Sequence, residues 1–198
     1  IESSKTKINS LKEKIMKTIN LKKITIATAA AIGLGTAAIA TTNYFNQPTT
    51  VQAASSKIKL SQNAAVKKFK AKFKKAKVES ISLDKENGRY VYEIEGFTST
   101  REYDMKINAA TGKTISSKSE KLDRDDRNQK ALNLKKTISR STATKIAQKK
   151  VAGSKATEWT LEREGSRSIW DVTVTKNGQK SEVKINALTK KVISVERN

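Results

Sequence analysis

The chain has 198 residues, 41 of them Lys or Arg against 19 Asp or Glu, for a formal net charge of +22. It contains no Cys and no His, which excludes disulfides, thiolate metal sites, thiol catalysis and an anchor attached to Cys, and removes the usual imidazole base. Ser–His and Cys–His nucleophile pairs are therefore impossible. Abundant Ser and Lys do not by themselves make a catalytic dyad, so the sequence reads as a non-enzyme without catalytic residues, cofactor or metal.

Residues 1–53 have the layout of an export leader. Lys17, Lys22 and Lys23 precede an uncharged run from Ile24 to Ile39, and Val51-Gln52-Ala53 closes a polar stretch. A basic region, an apolar region and small residues before the cut define a secretory signal, here predicting cleavage between Ala53 and Ala54. Uncleaved, the run would be a membrane anchor, but Thr25, Thr28, Gly33, Gly35 and Thr36 make it a weak one. The residues before Met16 are long for a basic region, which makes Met16 a candidate start. Removing the seven lysines and two glutamates of residues 1–53 leaves 34 basic and 17 acidic residues, a net of +17. An exported, disulfide-free protein fits the exterior of a Gram-positive bacterium, secreted or associated with the wall or surface.

The next elements are a helix and a set of strands. Ser61 is a candidate N-cap, and Ala65, Phe69, Phe73 and Ala76 recur at helical spacing. Ile81 and Leu83 then alternate with polar residues, which predicts a strand. Glu86-Asn87-Gly88 is a turn; Tyr90–Glu95 is a second strand with Tyr92 and Ile94 inward. Tyr103, Met105 and Ile107 mark a third, and Ile115 a short fourth.

After a charged stretch the same series returns. Ala143, Ile146, Ala147 and Val151 form a second helical stripe, and Gly153 supplies its stop. Trp159 and Leu161, then Trp170, Val172 and Val174, then Val183 and Ile185, then Val192 and Val195 mark four strands, with the hairpin signal Asn177-Gly178 between the second and third. A shift of 78 positions lays Ser61–Lys118 on Ser139–Glu196 without a gap, most clearly at Lys106-Ile107-Asn108-Ala109 and Lys184-Ile185-Asn186-Ala187. A repeat at fixed offset means two copies of one small domain. The expected fold is α+β: two tandem units, residues 58–118 and 139–198, each one helix packed on an antiparallel sheet of three to four strands. Residues 119–138 are expected to be a charged linker, either an exposed helix or a mobile segment.

Three charge features stand out. Lys67, Lys68, Lys70, Lys72, Lys74, Lys75 and Lys77 follow one another with no acid between them; on the polar side of a helix they suit anionic wall polymers or lipid head groups. Asp123-Arg124-Asp125-Asp126 lacks the further ligands and the Gly of a calcium loop and reads as a solvated cluster. Nucleic acid is not an expected partner, because the leader directs the chain outward and no recognition motif accompanies the charge. Trp159, Trp170 and Tyr92 fall on the inward phase of their strands, whereas Tyr90 fits core or surface.

Gly-Arg-Tyr-Val-Tyr-Glu-Ile-Glu at 88–95 and Tyr-Asp-Met-Lys-Ile-Asn-Ala-Ala-Thr-Gly-Lys at 103–113, behind a helix and a strand, resemble the PepSY domain. Arg167–Val172 and Val183–Lys191 are a more diverged second match. The resemblance implies a role outside the cytoplasm in contact with other proteins, with an extracellular protein or peptidase as partner and peptidase inhibition in trans as a candidate activity. Asn108 and Asn186 stand where the family commonly has Asp, and Lys190 stands where it has the Gly kept at Gly112. Asn suits the same turn, but the resemblance does not carry over a role that needs a carboxylate there.

Overall fold

The computed structural model describes residues 57–122 and 129–197. Residues 1–53, expected to be a leader, Ala54, and Asp123 to Asp126 lie outside them. Each repeat is a helix followed by four strands: α1 (Gln62–Lys72), β1 (Lys77–Glu86), β2 (Arg89–Phe97), β3 (Arg101–Asn108) and β4 (Thr114–Lys121), then α2 (Arg140–Lys150), β5 (Lys155–Glu164), β6 (Arg167–Lys176), β7 (Gln179–Asn186) and β8 (Val192–Arg197). Among the described residues no helix is long and apolar enough to cross a membrane.

Local chemistry fixes the element ends. Ser61 and Ser139 cap the two helices, each accepting an N–H three residues on at 3.2 Å. Asn87-Gly88 (φ 50° and 76°) and Asn177-Gly178 (φ 50° and 80°) close two-residue hairpins, both residues in the left-handed region that such turns require. The side-chain oxygen of Asn108 accepts the N–H groups of Ala110 and Thr111, and that of Asn186 accepts those of Leu188 and Thr189. The turn is thus built twice by Asn without a carboxylate.

The two repeats join into one sheet. β1 and β5 pair antiparallel through Ile81–Leu161, Ser82–Thr160 and Leu83–Trp159, and the full order is β4-β3-β2-β1-β5-β6-β7-β8. Ser82 and Thr160 are the same repeat position, so a local dyad passes between them. Both helices sit on one face. There the inward rows, from Ile81, Leu83, Tyr92, Ile94, Met105 and Ile107 to Trp159, Leu161, Trp170, Val172, Val174, Val183 and Ile185, form a single core with Ala65, Phe69, Ala143 and Ala147. Pooling the cores suits units this small, since a sixty-residue domain is near the lower limit for stability without staples.

Equivalent positions serve equivalent ends by different means. The Tyr92 hydroxyl donates to the Leu60 carbonyl at 3.1 Å, and in the second repeat Trp170 Nε1–H donates to the Ile138 carbonyl at 2.9 Å. Phe69 of α1 packs over Gly96, whereas their counterparts are Ala147 and Val174. Large-over-small is exchanged for small-over-large, which conserves core volume. The seam is tied by Arg140, whose Nη1 donates to Tyr92 Oη at 3.1 Å while its guanidinium lies 5.2 Å from the Trp159 ring centre. Tyr90 belongs to this seam, its ring 6.1 Å from that of Trp159.

Two expectations need correction. α1 ends at Lys72, so Phe73 and Ala76 lie beyond the helix, with Lys74 and Lys75 in the following turn and Lys77 on β1. Phe73 packs against Phe69 at 5.2 Å and Tyr103 at 4.6 Å, and Lys77 already pairs with Phe97, leaving no length for another helical turn. The connector is neither helix nor free segment where it is described. β4 takes Ser119–Lys121, Leu122 bonds to the Thr100 carbonyl, and buried Leu132 donates its N–H to the Val78 carbonyl at 2.8 Å.

Candidate functional site

Because strand side chains alternate between faces, the rows opposite the core form a face with no helix over it. Every Asp and Glu among the described residues lies on a strand, and all but Glu79, at a bulge, belong to this face. It carries Asp84, Glu86, Glu93, Glu95, Glu102, Asp104 and Glu120 from the first repeat, and Glu158, Glu162, Glu164, Asp171, Glu182 and Glu196 from the second. A chain with twice as many basic as acidic side chains has gathered all its described carboxylates but Glu79 on one side.

Some of this charge is answered internally, in the same way in both repeats. Lys106 Nζ lies 2.6 Å from Glu86 and 3.5 Å from Glu93, and Lys184 Nζ lies 2.7 Å from Glu164 and 3.8 Å from Asp171. Burial opposes the charge on each lysine, but the hydrogen bond to Glu86 or Glu164 and the charges of the neighbouring carboxylates together outweigh it and hold the ammonium above its ordinary pKa. Other carboxylates face their own kind: Glu95 stands opposite Asp104, Glu102 opposite Glu120, and Glu182 opposite Glu196. Like charges in direct cross-strand pairs destabilise a sheet.

The electrostatic result is a set of carboxyls that ionise at higher pH than exposed ones do. Burial, then the charges of Glu86, Glu93 and Glu158, push Asp84 up to about 6. Burial and a hydrogen bond with Asp104 push Glu93 to about 7, while burial and a hydrogen bond with Glu182 push Asp171 to about 8. Burial also raises Asp104 and Glu162. Across the seam lies a hollow of about 220 Å³, lined by Asp84, Glu158, Trp159, Thr160, Asp171, Thr173 and Glu182. Glu93, Glu95 and Asp104 bring carboxylate oxygens within 4.8 Å of one another, but the Lys106 ammonium already lies beside Glu93.

The lysines singled out from sequence lie elsewhere. Lys67, Lys68, Lys70 and Lys72 on α1, Lys74 and Lys75 in the turn and Lys77 on β1 are all exposed. The four on α1 sit on the opposite side of the sheet from the carboxylates. Sequence reasoning used the period-two alternation to find the core and overlooked its other phase. Asp84/Glu86, Glu93/Glu95, Glu102/Asp104 and Glu162/Glu164 are spaced by two, and that signal places each pair on one face.

The architecture is a duplicated helix-plus-sheet module whose second sheet face carries no helix among the described residues. Residues 59–118 and 137–196 each match the PepSY family, the peptidase propeptide and YPEB domain, and the chain belongs to that family. Among solved structures, a protein of Clostridium difficile 630 provisionally described as a lipoprotein is 28% identical, with a TM-score of 0.66 and coverage of 72% of this chain and 95% of that one. The YpmB protein from Bacillus subtilis is 23% identical, with a TM-score of 0.33 and coverage of 69% and 97%. No curated protein matches the chain significantly.

Proposed function

We propose that the chain is a non-enzymatic extracellular protein-binding module that modulates a peptidase in trans, using the bare face of its sheet. The observation that carries this reading is the pairing of two PepSY units into one eight-stranded sheet with both helices on the same side. A sheet face that carries no helix on either repeat is the surface this reading assigns to the partner. The family description, which names peptidase propeptides, and the likeness to a protein provisionally described as a lipoprotein support the peptidase and the extracellular setting. The test is to assay the purified protein against extracellular peptidases and to capture binders from culture medium. Altered peptidase activity with a captured complex is expected; failure to bind any extracellular protein would refute it.

A second reading rests on the seven exposed lysines: attachment to wall polyanions or anionic lipid. Retention on cells should then vanish at high salt and on replacing Lys67 to Lys77 by Gln, because screening weakens exposed charge contacts.

A further inference from the structure

We infer that the bare sheet face docks a lysine- or arginine-rich segment of a partner protein. This rests on the reading of that face as the binding surface and adds the chemistry of what it holds.

Three observations lead to the partner's charge. The sorting is nearly complete: a chain with 41 basic and 19 acidic residues places all its described carboxylates but Glu79 on one face. A face serving structure alone would set Lys against each acid, as Lys106 and Lys184 are set against Glu93 and Asp171. Elsewhere acid stands against acid: Glu182 faces Glu196, and Glu95 faces Asp104, which has Lys118 opposite on its other side. Departures from local pairing rules in an otherwise consistent sheet mark function. Finally, four carboxyl groups line the hollow at the seam, Asp84, Glu158, Asp171 and Glu182, and the ammonium groups set against them are Lys180, 2.7 Å from Glu158, and Lys184, 3.8 Å from Asp171.

The spread of the charge selects a polypeptide segment. The acids run from β4 to β8, and eight strands at about 4.8 Å spacing make a face about 34 Å wide, which an extended segment of about ten residues spans. A single metal ion would answer only one corner, and the tightest trio, Glu93, Glu95 and Asp104, already has Lys106 beside it. Charge complementarity therefore favours a flexible cationic segment. A rigid second copy would bring its own net charge of +22 against the first.

Fluorescein-labelled decalysine is the probe, titrated into the full chain and followed by anisotropy, with labelled decaglutamate as the control. Decalysine should bind, and the triple variant Asp84→Asn, Glu158→Gln, Glu182→Gln should weaken it about tenfold, equivalent to about 1.4 kcal/mol. Salt raised from about 0.05 to about 0.3 M should weaken it too, whereas replacing Lys67 to Lys77 by Gln should not. Circular dichroism checks the fold; should the triple variant not fold, Glu158→Gln at the exposed rim gives a smaller loss in the same direction. No decalysine binding, or binding equal in the variants, overturns the inference. Self-association of the peptide-free chain that the triple variant abolishes would also overturn it, by giving the face to a second copy. Peptidase capture that survives while decalysine fails refutes this inference alone; failure of both refutes the surface itself.

Discussion

The exchange of Phe69/Gly96 for Ala147/Val174 predicts a measurable coupling. A Cβ placed on Gly96 would lie 2.4 Å from the Lys77 carbonyl oxygen and 2.9 Å from Phe69 Cζ, both closer than packed carbon atoms tolerate. Gly96→Ala therefore forces β1 and the Phe69 ring to move, and overpacking of this kind costs about 1–3 kcal/mol. Phe69→Leu keeps an apolar side chain at the site but removes the ring edge; alone it should cost about 0.5–3 kcal/mol. In the double variant the ring contact is gone while the carbonyl contact remains, so rescue should be partial. The expected coupling is about 1 kcal/mol in the favourable direction, within the range for residues in contact. Urea unfolding of the four proteins, compared at constant m, measures it. Additivity within about 0.3–0.5 kcal/mol would refute this packing argument.

Stability should fall as pH rises. Asp84, Glu93 and Asp171 titrate at about 6, 7 and 8 in the folded chain but at about 4 unfolded. Between those limits the folded state binds more protons, so each unit of rising pH favours unfolding. Melting temperature should drop from pH 5 to pH 9, and Asp171→Asn should flatten the slope; a rising profile would contradict the assignment. Decalysine should bind more tightly at pH 9 than at pH 5, because the carboxylates then carry full charge, and anisotropy checks this. Lys190 holds φ 67° where its counterpart Gly112 holds 71°, so Lys190→Gly should stabilise by about 0.5–1 kcal/mol in urea unfolding. Arg140→Ala removes the seam contact to Tyr92 and Trp159 and should cost about 1–2 kcal/mol; an unchanged urea midpoint would show that the seam does not depend on it.

Much of the fold was legible because its causes are local. Ser61 and Ser139, the Asn-Gly turns, and the alternation of Tyr92 with Ile94 or Trp170 with Val172 each state their structure within a few residues, and the 78-residue offset supplied the duplication. The fusion of the two sheets through Ser82 and Thr160 was not legible, since pairing of β1 with β5 is a choice between distant partners. Tertiary contacts also ended α1 early: Phe73 leaves the helix to meet Tyr103, which no local spacing announces. The acidic face was encoded in plain period two at Asp84/Glu86 and Glu93/Glu95. It was hidden by the chain's overall positive charge, which drew attention to the lysines.

The most direct measurement is an amide NMR map of the chain bound to an extracellular partner recovered by capture. Shifts concentrated in β1, β5, β6 and β7, at Asp84, Glu158, Thr160, Asp171 and Glu182, are the predicted result. Shifts confined to α1 and Lys67–Lys77, with the bare face undisturbed, would contradict it.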